Sequence, residues 1–152
     1  MAEKMQFTED QKKAIETRGK NILVAAAAGS GKTRVLVERI ISQVRREELS
    51  LDHILVLTFT KAAASEMRER IEMALNEEIN VLTESGGSLE QISAMERQRV
   101  LLTGADISTF HSFCQHLIQS HIDATEIPPT FRIASEQEIH LLKNDVFEQM
   151  LE

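Results

Sequence analysis

The hydrophobic pattern along the chain changes period several times, and each change marks an element. Phe7-Thr8-Glu9-Asp10-Gln11 reads as a helix start, with Thr8 able to cap and Gln11 three residues on as its reciprocal partner. That helix is predicted to run to Arg18 and stop at Gly19. Asn21 to Ala27 is short, continuous and apolar, the pattern of a fully buried strand. Gly29-Ser30-Gly31 interrupts it. From Lys32 to Glu47, Val37, Ile40, Ile41 and Val44 recur at helical spacing. His53 to Phe59, with Ile54, Leu55, Val56 and Leu57, predicts a second buried strand. A helix from Lys61 to Ile79 follows, with Ala64, Met67, Ile71 and Leu75 on its apolar face.

The second half is less regular. Thr83 to Ser88 reads as a loop and Leu89 to Leu102 as a helix. Asp106 to Thr109 is a candidate short strand. Phe110 to His121 is amphipathic, with Phe110, Phe113, Cys114, Leu117 and Ile118 on one face. Pro128-Pro129 predicts an extended break. Ser135 is placed to cap a last helix, with Glu138 at the capping-box position and Ile139, Leu142, Val146 and Met150 as the apolar face. That helix shows no stop signal before Glu152. Two strands each followed by a helix imply an α/β fold with a parallel sheet.

Composition narrows the function classes. The chain has 152 residues, 42% hydrophobic and 27% charged, as a globular protein has. Its longest apolar run, Ile22 to Ala28, is far short of the ~20 residues a membrane span needs. No basic-then-apolar leader opens the sequence, so cytoplasmic residence without a membrane is the expectation. Cys114 is the only cysteine, which excludes an internal disulfide and a cysteine metal cage, and it reads as a small buried hydrophobe. The net charge of −7 argues against general nucleic-acid adhesion. From Ile122 onward, however, seven acids stand against two bases, so the first 121 residues carry only −2.

The strongest chemical signal is Ala28-Gly29-Ser30-Gly31-Lys32-Thr33. Glycines let backbone N–H groups point inward, and the helix that starts at Lys32 adds its positive dipole end. Lys32 is then the partner of the β and γ phosphates, and the Thr33 hydroxyl the ligand of Mg²⁺. The full phosphate-loop pattern has glycine at position 26, where this chain has Ala26. Gln11, taken alone, reads as a capping glutamine. Phe59 alone reads as a core residue at a strand end.

Three further segments surround the loop in an order that resembles superfamily 1 DNA helicases of the UvrD/RecB type. Phe7-Thr8-x-x-Gln11 resembles their Q motif, in which the glutamine reads adenine. Thr58-Phe59-Thr60-Lys61-Ala62-Ala63-Ala64-x-x-Met67 resembles motif Ia, although the family usually has asparagine where Lys61 stands. Ile107-Ser108-Thr109-Phe110-His111-Ser112-Phe113 resembles motif Ib. The segments from Asn21 to Thr33, from Ile107 to Cys114 and at Phe131-Arg132-Ile133-Ala134 are most similar to the AddA-type subunits of bacterial AddAB helicase–nucleases, where alanine is common at position 26.

The resemblance implies a P-loop NTPase fold: part of a RecA-like motor domain with parallel strands and flanking helices. It divides the chain into residues 1–121, the first part of the ATP-binding domain, and 122–152, the start of a helical insertion. It implies ATP and Mg²⁺ as ligands, held by Gln11, Ala28, Gly29, Ser30, Gly31, Lys32, Thr33 and Arg34, with Lys32 and Thr33 catalytic and Thr33 on the metal. DNA contacts fall on Thr58, Phe59, Thr60, Lys61, Thr109 and His111. The implied partners are single- and double-stranded DNA ends and an AddB-like second subunit in a heterodimer, acting in double-strand-break repair. The acidic Walker B pair, the arginine finger, the second motor domain and the nuclease carboxylates of such proteins are not recognised in these residues, so the expectation is an amino-terminal portion that binds ATP without turning it over. The alternative is a non-catalytic nucleotide-binding module or another class of P-loop ATPase.

Overall fold

The computed structural model describes residues 6–151. The elements run α1 (Glu9–Glu16), α2 (Lys32–Arg45), β1 (Leu55–Thr58), α3 (Lys61–Glu84), α4 (Leu89–Leu101), β2 (Asp106–Thr109), α5 (Phe110–Ser120) and α6 (Glu136–Leu151). Short 3-10 turns precede β1 and β2 and follow α5. The chain forms two compact units, one running to Phe113 and the other starting at Cys114.

In the first unit β1 and β2 pair in parallel, with Val56 opposite Ile107 and Thr58 opposite Thr109. The connection between them is the α3–α4 helical pair, as a parallel crossover requires. α3 packs against both strands, α2 and α4. The periodic face read from α3 is the buried one: Ala64, Met67, Ile71 and Leu75. It meets Val37, Ile40, Ile41 and Val44 of α2, with Leu51, Met95, Leu102 and Ile107 closing the core. Leu51, Ile71 and Leu75 are fully buried. Polar clasps lock the helices at the core's edge. Arg45 donates from Nε and Nη2 to the Glu78 carboxylate at 2.6 and 2.8 Å, tying α2 to α3. Arg68 on α3 donates to the carbonyls of Leu102 and Ala105 just before β2.

The capping signals read at Thr8 and Ser135 mark helix starts: Thr8 and Gln11 form the reciprocal box at α1, and Ser135 and Glu138 do so before α6. The structure adds a third box, Ser88 with Gln91 at α4, which the sequence reading did not single out. The ends shifted. α1 stops at Glu16, where Thr17 turns extended, and Arg39 on α2 donates to the carbonyls of Ala14 in the last turn at 2.7 Å and of Thr17 just past it at 2.6 Å. Burial and the neighbouring Arg18 hold the Arg39 pKa below the usual arginine value. α2 ends at Arg45 rather than Glu47, which has a left-handed φ of 57°. α3 continues five residues beyond Ile79, to Glu84.

One predicted strand is absent. Asn21 to Ala27 is irregular and exposed, with Leu23 at 95%. A strand exists through its neighbours' hydrogen bonds, and an apolar run is buried only where another layer covers it. Among the described residues the sheet contains β1 and β2 alone. β1 is likewise shorter than expected and half-covered, with Leu55 48% exposed.

The second unit is helical and leaves many of its apolar side chains exposed. No residue of α6 is buried, and Ile139, Leu142, Val146 and Met150 of its predicted apolar face are all exposed. Cys114 is exposed rather than buried. Pro128 and Pro129 begin a turn, closed by the Phe131 N–H donating to the Pro128 carbonyl at 3.0 Å, instead of an extended break. Arg132 grips Glu138 with two N–H groups and Ser135 donates to the same carboxylate, which holds the Glu138 pKa down to about 2. Glu152, up to which no helix stop signal is read, lies outside the described residues.

The α2–α3 contact predicts the stability of the first unit. Ile71→Ala removes a fully buried side chain. It lowers the unfolding free energy by about 2–5 kcal/mol in urea denaturation. A change within about 0.5 kcal/mol, the range of surface substitutions, would place Ile71 outside the core.

Candidate nucleotide site and strand-end cluster

The predicted phosphate loop is built from backbone geometry. Gly29 and Gly31 have φ of 77° and 83°, left-handed values that side chains with a Cβ adopt at a cost. A Cβ at Gly29 would meet nothing within 4 Å, so the requirement there is conformational and not steric. Gly31 is the residue before α2 and offers no side-chain cap. The positive end of the helix dipole lies behind this turn.

Lys32 folds back over this loop. Its ammonium donates to the carbonyls of Ala26 and Ala27, each at 2.7 Å. These bonds keep the charge beside the uncapped helix start. Thr33 is half-buried in the first turn of α2. Gln11 reaches the loop from α1: its Nε2 donates to the Ser30 carbonyl at 3.1 Å, while its Oε1 accepts from the Thr8 N–H at 2.9 Å. A Cβ at Gly31 would lie 3.6 Å from that Nε2. Arg34 lies over the Phe7 ring, 4.3 Å from its centroid. Thus Gln11, Ala28 to Thr33 and Arg34 fall in one neighbourhood. Phe7 joins them, a residue whose contact with Arg34 has no local signal because 26 residues separate the two.

The donor set suits a magnesium-bound polyphosphate. Backbone N–H groups, a helix start and one ammonium are all positive partners for phosphate oxygens, and a hydroxyl sits one residue on. Among the described residues no group of three or more His, Cys, Asp or Glu could hold a metal by itself.

The second set of candidates lies at the carboxyl ends of the two strands, where parallel pairing sets Thr58 beside Thr109. Ligands of open α/β sheets bind at this edge. Phe59 is 94% exposed and therefore not in the core. Its ring meets Phe110 at 6.0 Å between centroids, tilted by 45°. The sequence placed Phe110 on a core face; half-exposed, it instead joins the two motif segments into one aromatic surface. Lys61 and His111 are exposed beside these rings in sequence.

Three hydroxyls in this set already have structural partners. Thr58 Oγ1 donates to the Thr60 carbonyl at 3.0 Å. Thr60 Oγ1 accepts from the Ala63 N–H at 3.1 Å and caps α3. Thr109 is buried, and its Oγ1 accepts from the Ser112 N–H at 3.2 Å and bonds the Ser112 hydroxyl at 2.9 Å. Ser112 carries no signal of its own in the sequence beyond Thr109-x-x-Ser112, the spacing of a capping pair.

Residues 7–152 match the UvrD/REP helicase N-terminal domain. The chain belongs to that family. Within it, the chain is similar to proteins whose names describe them as subunits of an ATP-dependent helicase/nuclease. That of Geobacillus thermodenitrificans is 51% identical over 148 residues, covering 96% of this chain and 11% of the relative. That of Clostridium acetobutylicum is 47% identical over 151 residues, covering 98% and 12%. That of Staphylococcus saprophyticus is 45% identical over 148 residues, covering 96% and 11%. The chain thus spans roughly a tenth of the length of these relatives. The α/β architecture with parallel strands and flanking helices agrees with a partial UvrD-type RecA-like domain. No helix among the described residues is long and apolar enough to cross a membrane.

The capping role of Thr60 gives a test that is independent of any ligand. Thr60→Ala lowers stability by about 1 kcal/mol, and Thr60→Ser restores most of it. Urea unfolding measures both; an unshifted midpoint in Thr60→Ala would mean that the hydroxyl does not hold the start of α3.

Proposed function

We propose that this chain forms the ATP-cradling portion of a DNA helicase motor, within an ATP-dependent helicase/nuclease that works on DNA ends in double-strand-break repair. The observation that carries this reading is the bond from Gln11 to Ser30. It joins the residue suited to reading a purine edge directly to the loop suited to holding phosphates. The family and the relatives' names point the same way.

In this reading residues 1–121 form the first part of the motor domain and 122–152 begin a helical insertion. The N–H groups of Ala28 to Thr33 and the Lys32 ammonium hold the triphosphate. Lys32 exchanges its two carbonyl partners for phosphate oxygens, which offer it full charges instead of dipoles. Thr33 ligates Mg²⁺, and the Gln11 amide and Arg34 hold the base. Bound Mg-ATP supplies the phosphoanhydride whose cleavage drives movement. Turnover requires a positioned water and charge neutralisation on the far side of the γ-phosphate. Arg34 leaves from α2 beside Phe7 and is assigned to the base. The chain by itself therefore binds ATP, and the rest of the protein completes hydrolysis.

Single-stranded DNA runs over the strand ends. Phe59, backed by Phe110, stacks on a base, and Lys61 and His111 contact phosphates. The hydroxyls of Thr58, Thr60 and Thr109 contribute by holding this surface in shape, with backbone contacts as a further role. A second, AddB-like subunit completes a heterodimer, and the protein is cytoplasmic.

Two measurements on the full-length protein test this. Lys32→Ala lowers DNA-stimulated ATP hydrolysis by about 100-fold or more, the scale of losing one strong donor at a charged centre. Its circular dichroism spectrum stays unchanged, because the exposed side chain belongs to no core cluster and its ammonium bonds loop carbonyls. Near-normal turnover would remove the loop from the mechanism. In fluorescence anisotropy, Phe59→Ala weakens single-stranded DNA binding by about 1–3 kcal/mol. Lys61→Ala reduces the salt dependence by about one unit of slope. Unaltered affinity and slope in both variants would make this surface purely structural.

A further inference from the structure

Phe7 stands apart from the nucleotide-contacting set, yet it sits where the pieces of that set are joined. The segment leading into α1 touches the loop region twice. Gln11 bonds Ser30 within the loop, and the Phe7 ring, four residues earlier in the chain, lies under Arg34, the third residue past Gly31. Thr8, between them, shares its backbone N–H and hydroxyl with Gln11 at 2.9 and 3.3 Å. Phe7, Thr8 and Gln11 therefore form one corner fastened both to the phosphate loop and to the helix turn that follows it.

We propose that Phe7 is a positioning residue for the nucleotide: by carrying the Arg34 guanidinium on its face, it fixes Arg34 and Gln11 relative to the loop and so sets how the base end of the triphosphate is held. This rests on the nucleotide reading given above and adds a residue that acts through another. A planar cation at 4.3 Å from a ring centroid is held by the ring's negative face. Arg34 is a long side chain with several rotatable bonds, and a partner that limits its freedom lowers the entropy lost when a ligand binds. Phe7 is half-buried, so that attraction is only partly screened by solvent. The interaction calls for a ring and not merely an apolar group. A cavity of about 420 Å³ is lined in part by Phe7 and Arg34.

The role separates base from phosphate. The contact of Phe7 is with Arg34, past the loop, whereas Lys32 is held by the loop carbonyls. Loss of the ring should weaken a ligand that has a base and spare one that is phosphate alone. The full-length protein is titrated by calorimetry with Mg-ATP and with Mg-tripolyphosphate, and its DNA-stimulated hydrolysis is measured in parallel. Phe7→Ala is expected to raise the Kd and KM for Mg-ATP by about fivefold, the scale of one partly exposed cation–π contact. kcat and the tripolyphosphate Kd change by less than about twofold, within the scatter of such contacts. Phe7→Leu behaves like Phe7→Ala, and Phe7→Tyr recovers the original Kd. Equal losses for both ligands, recovery by leucine, or an unchanged Kd for Mg-ATP in Phe7→Ala each overturn the proposal. Lys32→Ala is titrated alongside. If it retains both ligands, the nucleotide reading itself fails; if it loses both while Phe7→Ala loses neither, only the role of Phe7 fails.

Discussion

The burial of one face of α2 against α3 is the contact on which the remaining features depend. Ile40, Ile41 and Val44 are held against Ile71 and Leu75 in the driest part of the molecule. A helix so anchored presents its first turn at a defined place, and Lys32, Thr33 and Arg34 belong to that turn. The same helix carries Arg39, whose bonds to the last carbonyls of α1 dock that helix and with it Gln11. The opposite end is closed by Arg45 on Glu78. Loss of the α2–α3 seam would loosen the phosphate loop even though no loop residue belongs to the core.

The two candidate surfaces are organised by different physics. At the phosphate loop the backbone does the work: left-handed glycines, an uncapped helix start and one ammonium held by carbonyls. At the strand ends side chains do it. Parallel pairing sets the carboxyl ends of β1 and β2 side by side, and Phe59 and Phe110 follow directly from those ends. The threonines nearby close helix starts, so the surface keeps its shape through the bonds that terminate the strands. Candidate contact residues and structural caps coincide here, which is why substitutions in this region need separate readouts for stability and for binding.

A considerable amount of apolar surface remains uncovered. Ile22, Leu23 and Val24 lie open before the loop, and the α6 face from Ile139 to Met150 is open in the second unit. The stretch shared with this chain is 12% and 11% of the length of two of the relatives. The composition of Asn21 to Ala27 is that of an interior strand, and interior strands are made by neighbours on both sides.

Local chemistry was legible in the sequence. The capping boxes at Thr8 and Ser135, the apolar faces of α2 and α3, and the glycine-lysine-threonine turn were all readable, because each is decided by residues a few positions apart. The motif order also gave the family, because those motifs are contiguous in the chain. Tertiary structure decided what depends on distant partners. It set Arg39 on the carbonyls at the end of α1, left the run before the loop unpaired, exposed Cys114 and turned Phe110 toward Phe59 instead of the core. It also brought Phe7 under Arg34 and Gln11 onto Ser30. Those last two contacts span 19 residues or more, and their existence follows from how α1 docks on α2, which no local period or cap encodes.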